Sequence, residues 1–122
     1  MDISEFFRAV VDSDTMPVVI CNTEHIIIYM NPAAEERYKK RGSLVGKSIL
    51  DCHNSSSNEK IKAVVSWFEK DRRNNRLFTF HNEKENKDVY MIALRDTEGS
   101  LIGYYEKHEM RSPETKERYS YD

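Results

Sequence analysis

Residues 51–55 read Asp-Cys-His-Asn-Ser and place a carboxylate, a thiol, an imidazole and a hydroxyl within one short stretch. Nucleophilic catalysis needs a nucleophile, a base and an orienting acid in line. Asp51, His53 and Ser55 alternate along a single short loop, a spacing that does not produce that line. Asp51 and Ser55 suit turn and helix-cap roles instead, because their short side chains bond nearby backbone amides. Cys52 and His53 are both metal-ligand types, yet a structural zinc site draws four ligands from separated positions. The other cysteine, Cys21, lies far off, and no Cys-x-x-Cys occurs. No catalytic constellation and no metal-ligand cluster is therefore expected, and the chain reads as a non-enzyme. His25, His81 and His108 fall on strand ends or alternating positions without evident partners and are expected at the surface.

Aromatic and sulfur side chains suggest a second kind of chemistry, the enclosure of a ligand. Trp67 flanks the apolar stripe of a helical segment, and Phe78, Phe80, Tyr90, Met91, Tyr104 and Tyr105 populate the last three strand-like segments. Cys52, His53, Trp67, Phe78, Phe80 and Met91 are the candidate lining of a pocket for a flat or acyl ligand. The same side chains also build hydrophobic cores, and Phe78 and Phe80, two residues apart, are expected to share one buried face.

The elements that must position these residues follow from composition and periodicity. With 122 residues, 39% hydrophobic and 33% charged, the chain supports one domain. Lys plus Arg number 19 against 21 Asp plus Glu, for a net charge of -2, so no electrostatic footprint for nucleic acid exists. Lys39-Lys40-Arg41 reads as solvated cations at a helix C-terminus, where the helix dipole favours them. The longest apolar runs, 17–21 and 26–30, fall far short of the ~20 residues of a membrane span. Two distant cysteines and the lack of a leader sequence point to a reduced, cytoplasmic setting.

Ile3, Phe6, Phe7, Val10 and Val11 recur at i, i+3, i+4, i+7 and i+8, which predicts a short amphipathic helix within residues 1–13. Two β-branched runs, 17–21 and 25–30, flank Asn22-Thr23-Glu24-His25 and predict a hairpin. Asn31 is placed to cap a helix with Pro32 at its first position, running from Ala33 to about Lys40 and ended by Gly42; removal of the cap is expected to cost about 1 kcal/mol. Residues 44–53 suggest a short helical turn followed by a loop. Ser56-x-x-Glu59 reads as a capping box ahead of a longer helix carrying Ile61, Val64, Val65 and Phe68. Strands are predicted over 76–82, 87–95 and 101–110, joined by turns at 83–86 and 96–100.

This order predicts an α+β fold: a five-stranded antiparallel sheet with helices inserted between strands 2 and 3, preceded by an N-terminal amphipathic helix. Residues 1–13 form that helix, 14–110 the core, and 111–122 a polar tail without apolar periodicity. A ligand would sit between sheet and helices. Residues 89–94 are apolar on both faces, so the face expected to meet solvent needs cover from the N-terminal helix or from another chain.

Three runs, taken in order and spacing, resemble the successive signatures of PAS sensory domains: Ile27-Ile28-Tyr29-Met30-Asn31-Pro32-Ala33-Ala34-Glu35, Leu44-Val45-Gly46-Lys47-Ser48-Ile49-Leu50, and Arg95-Asp96-Thr97-Glu98-Gly99-Ser100-Leu101-Ile102-Gly103. The resemblance covers about residues 5–110. It implies a PAS-like five-stranded sheet in a ligand-binding or signal-relaying module that is cytoplasmic and usually dimeric. The flavin-binding, light-sensing members are similar to one another in a Gly-x-Asn-Cys run. Here Gly46-Lys47-Ser48-Ile49 has Ile49 in the place of the flavin-attacking thiol, so flavin is not expected. The run His108-Glu109-Met110-Arg111-Ser112-Pro113 departs from the Asp-Ile-Thr turn that leads into a signalling helix in kinases, so output is expected through a signalling protein partner or a homodimer. The leading helix implies Ile3, Phe6, Phe7 and Val10 as the dimer interface. Within this fold Cys52-His53 falls beside the cavity, where His53 is the candidate axial ligand should haem be bound. The expected function is a stand-alone sensory module holding a small molecule, with a ligand-free interaction scaffold and a haem sensor as alternatives.

Overall fold

The computed structural model describes residues 1–122. The chain runs α1 (Ile3–Ser13), β1 (Val19–Asn22), β2 (Ile27–Met30), α2 (Pro32–Arg37), two 3-10 turns (Lys39–Arg41 and Ile49–Cys52), α3 (Ser55–Lys70), β3 (Arg76–Asn82), β4 (Lys87–Arg95) and β5 (Leu101–Met110). The strands form one antiparallel sheet in the order β2-β1-β5-β4-β3. The α+β fold read from the sequence is the observed one. No helix is long and apolar enough to cross a membrane.

The first and last strands meet in the middle of the sheet, with Cys21 opposite Tyr104 and Asn22 opposite Gly103. A Cβ at Gly103 would stand 2.2 Å from the Cys21 carbonyl oxygen, so only glycine permits this approach. On the free side of β2, Ile27 N–H donates to the Lys47 carbonyl at 2.9 Å and Gly46 N–H to the Ile27 carbonyl at 2.8 Å, which covers that sheet edge with the loop before the second 3-10 turn.

Asn31 caps α2 by accepting from Ala34 N–H at 2.9 Å, and it also ties the chain before β1 in place. Its Oδ1 accepts from Val18 N–H at 2.8 Å, and its Nδ2 donates to the carbonyls of Val11, Asp14 and Met16. The side chain is fully buried. The α-helix stops at Arg37, earlier than periodicity predicts, because the chain tightens into the 3-10 turn before Gly42 ends it at φ 72°.

For α3 the predicted capping box is displaced. Asn54, not Ser56, is the cap, accepting from Ser57 N–H at 2.8 Å. Asparagine is a strong cap, and the three serines that follow it occupy the first turn. At the other end Arg95 of β4 closes the helix. Its guanidinium donates to the carbonyls of Phe68, Asp71, Asn74 and Gly99 at 2.7–3.2 Å and to Asn75 Oδ1 at 2.7 Å. A cation here meets both the free carbonyls and the negative end of the helix dipole.

The core lies between the helices and the inner sheet face: Cys21, Ile27, Met30, Ala34, Leu44, Val65, Phe68, Met91 and Tyr104. Within β4, Val89 and Met91 are buried on this face, whereas Tyr90, Ile92 and Leu94 alternate with them on the outer face and are half-buried. Phe78 and Phe80 do not share a buried face. A β-bulge at Thr79 pairs Phe78 with Tyr90 and Phe80 with Val89, which breaks the period of two and leaves them 56% and 49% exposed. Phe78 packs its ring 5.5 Å from that of Tyr90, and Phe80 stands at the rim of the inner face.

Helix α1 buries no residue, and Ile3, Phe6, Phe7 and Val10 are each more than half exposed. Its ties to the body are polar. The Tyr29 hydroxyl donates to Asp12, and the Arg8 guanidinium lies 5.9 Å from the centre of the Tyr29 ring.

Candidate ligand-binding cavity

Two adjoining chambers separate the helical layer from the inner sheet face. The smaller, about 140 Å³, is walled by Val19, Ile27, Leu44, Ile49 and Tyr104, with Tyr38, Arg41 and Cys52 facing it. The larger, about 540 Å³, lies between α3 and the β3–β4 pair, against Ile61, Ala63, Val64, Leu77, Phe80 and Met91, with Ser57 and Lys60 at its side. His53 and Glu106 line both chambers and so stand where the two meet. The apolar stripe of α3 is shared between two tasks: Val65 and Phe68 are buried in the core, while the half-buried Ile61 and Val64 form cavity wall.

The site electrostatics follow from burial. His53 has its pKa lowered by burial and then by the nearby Arg41 cation, so its imidazole is neutral at neutral pH. The Cys21 thiol is pushed up to about 11 by burial and behaves as a small apolar group. Tyr104 and Tyr38 are likewise raised, mainly by burial, and keep their protons. The Tyr104 hydroxyl shares a 2.8 Å hydrogen bond with His25 Nδ1, which removes His25 from the unpartnered surface position expected for it. His81 is exposed as expected but bonds Asp88 at 2.6 Å, whereas His108 points inward with its side chain 7% exposed, which corrects the surface expectation for that residue.

Five of the six predicted lining residues come together: Cys52 in the smaller chamber, His53 in both, and Phe78, Phe80 and Met91 in the larger. Trp67 does not join them. It lies 36% exposed on α3 with its ring beside Phe68, because its helical position points away from the stripe that meets the sheet. Tyr104, one of the aromatic residues read from the last three strands as ligand-enclosing, does wall the smaller chamber, whereas Tyr38, Arg41 and Glu106 were missed by sequence reasoning. Glu106 sits in the run Tyr104-Tyr105-Glu106-Lys107-His108-Glu109, whose charges resemble a solvated strand. Counting by two from buried Tyr104 is the signal that puts Glu106 and His108 on the inner face.

A five-stranded antiparallel sheet covered on one face by helices, with a cleft between the two layers, defines a small α+β domain with room for a ligand. Residues 15–106 match the family profile described as PAS domain. The chain belongs to the PAS domain family. Among solved structures it is similar to a C-terminal domain from Streptococcus mutans, at 26% identity and a TM-score of 0.67 over 88% of this chain and 84% of that one. The PAS domain of BvgS from Bordetella pertussis aligns at 17% identity and TM-score 0.63, covering 93% and 89% of the two chains. The Aer2 receptor of Vibrio cholerae, a dual PAS-haem oxygen sensor, aligns at 20% identity and TM-score 0.54, covering 79% and 94%. No curated protein sequence matches the chain. PAS domains are generally sensory and signalling modules rather than catalysts.

Proposed function

We propose that this chain is a cytoplasmic sensory module that binds a small molecule between its sheet and helices and signals through contacts of α1 and the outer sheet face with a second copy or a partner protein. The observation that carries the reading is the two-chambered cavity, with apolar walls and a few convergent polar groups, which is the usual make-up of a small-molecule site. The exposed stripe of α1 supports the second half of the reading, because apolar patches of that kind mark interaction surfaces. Residues 14–110 would then bind and sense, and residues 1–13 would relay.

The test is a native mass spectrum of the purified protein with a visible absorption scan. A retained small mass that disappears on denaturation supports binding. A protein that carries no ligand and accepts none from a small-molecule library favours the ligand-free scaffold. A haem-sensing variant of the reading is favoured by one observation, the neutral His53 imidazole in the wall of both chambers. His53 would hold the iron, and the group would supply gas or redox sensing. Addition of haem should then give a Soret band that His53→Ala abolishes and His25→Ala leaves intact; no band on haem addition removes this variant.

A further inference from the structure

Glu106 is an acid that the surrounding cations leave unpaired. Arg37 and Lys87 are both taken by Glu85, at 3.0 and 3.1 Å. The one basic nitrogen within 4 Å of the Glu106 carboxylate is His108 Nε2 at 3.9 Å, beyond hydrogen-bond distance. Burial lowers His108 to about 4, so it carries no charge at neutral pH, and its Nδ1 is itself buried without a partner. The Glu106 side chain is 42% accessible, and that surface lines the two chambers. Surrounding protein raises its pKa, the mark of a carboxylate short of compensation. Arg41 and Lys60 also face the cavity, but both are exposed, Arg41 is turned to the Cys52 carbonyl at 3.4 Å, and water screens them. Tyr38, Tyr104 and His53 face the site as neutral groups.

Resting on the reading of the cavity as a small-molecule site, we propose that its ligand is a small amphiphilic amine, with the protonated nitrogen against Glu106 and the apolar body in the larger chamber against Ile61, Val64 and Met91. An ammonium brings both the opposite charge and the donors that this carboxylate lacks, and charge-assisted bonds of this kind are the strong ones. An anionic ligand would set like charges together. A neutral apolar one would displace water from Glu106 and leave its carboxylate unpaired. Where Glu106 is protonated before binding, its proton passes to solvent as the ion pair forms, so the ammonium binds more tightly as the pH rises through the Glu106 titration.

Three probes of matched body test this by calorimetric titration: 2-phenylethylammonium, 2-phenylethanol and 3-phenylpropanoate. The ammonium should bind about tenfold or more tighter than the alcohol, the ratio a charged hydrogen bond supports, with the carboxylate weakest. In Glu106→Gln the ammonium and the alcohol should fall within about twofold of each other while the alcohol keeps its affinity. An ammonium no tighter than the alcohol, or a preference that survives the substitution, overturns the proposal and leaves the cavity reading standing if the alcohol binds. Failure of all three probes to bind overturns both. The wild-type ranking decides by itself if the variant does not fold.

Discussion

At the scale of single residues, two side chains hold more of the structure than their types suggest. Asn31 looks like a helix cap worth about 1 kcal/mol. In the fold its buried amide bonds five backbone groups from three segments, so Asn31→Ala would strand several of them in the interior. Urea melts should show a loss of about 2–4 kcal/mol for this variant; a loss near that of an ordinary cap would mean that the links to Val11, Asp14 and Met16 contribute nothing. Arg95→Ala should cost about 1.5–3 kcal/mol by freeing the carbonyls at the end of α3, and Arg95→Lys should recover little, since one ammonium cannot reach acceptors spread over that arc. His108 gives a pH signature. Burial lowers it from 6.5 to about 4, so the native state refuses a proton that the unfolded chain accepts, and stability falls as pH drops from 6.5 to about 4. Glu106, raised by burial, acts in the opposite sense as it protonates. Comparison of wild type with His108→Leu isolates the histidine: the variant's stability should decline less over that range, and parallel curves would refute the assignment. Further down in pH, hydrogen bonds from Arg37 and then Lys87 hold Glu85 at about 2, so its contribution is lost as pH falls from 4.5 toward 2.

At the scale of elements, the last three strands and both strand pairings at the hairpins could be read from the sequence, because alternating apolar residues bounded by polar turns encode them locally. Asn31-Pro32 located the start of α2 for the same reason. What could not be read depended on distant partners. The bulge at Thr79 is set by pairing with β4, and it overturns the two-residue period that put Phe78 and Phe80 together. The cap of α3 fell on Asn54 because several short polar residues compete at that end. Arg95 as its closing group becomes visible only once β4 lies beside α3. The aromatic and sulfur-bearing part of the cavity lining was legible in the sequence, but its aliphatic and polar wall was not, and Glu106 was hidden by its charged neighbours in sequence. Part of the outer sheet face is sealed by ion pairs rather than by a helix. Arg111 donates to Asp88 at 2.5 Å and to the Tyr90 hydroxyl at 2.6 Å, and the Arg76 guanidinium stacks 3.9 Å from the centre of the Tyr90 ring. Ile92, Leu94, Tyr105 and Ile20 lie beyond this mesh, half-buried, and with α1 they make up the surface that the proposed relay would use.

At the scale of the whole molecule, that surface and the cavity lie on opposite sides of one sheet, so the strands are the physical connection between a bound ligand and a docked copy. Burial of a large apolar side chain contributes about 1.5–3 kcal/mol, and four such residues on α1 lack cover. An isologous contact would bury the patch on both copies at once. Light scattering at micromolar concentration should therefore give a dimer, and Phe6→Glu should give a folded monomer; a monomeric wild type would contradict the relay. The central claim concerns the cavity, and the five methionines provide a direct probe of it. Met91 lines the larger chamber, while Met1 and Met110 are exposed outside it. Methyl NMR of methionine-labelled protein, titrated with a set of small apolar probes, should show saturable shifts of the Met91 signal with little change at Met1 and Met110. If no probe moves Met91, or if every probe moves only the exposed methyls, the cavity does not bind small molecules and the sensory reading built on it is wrong.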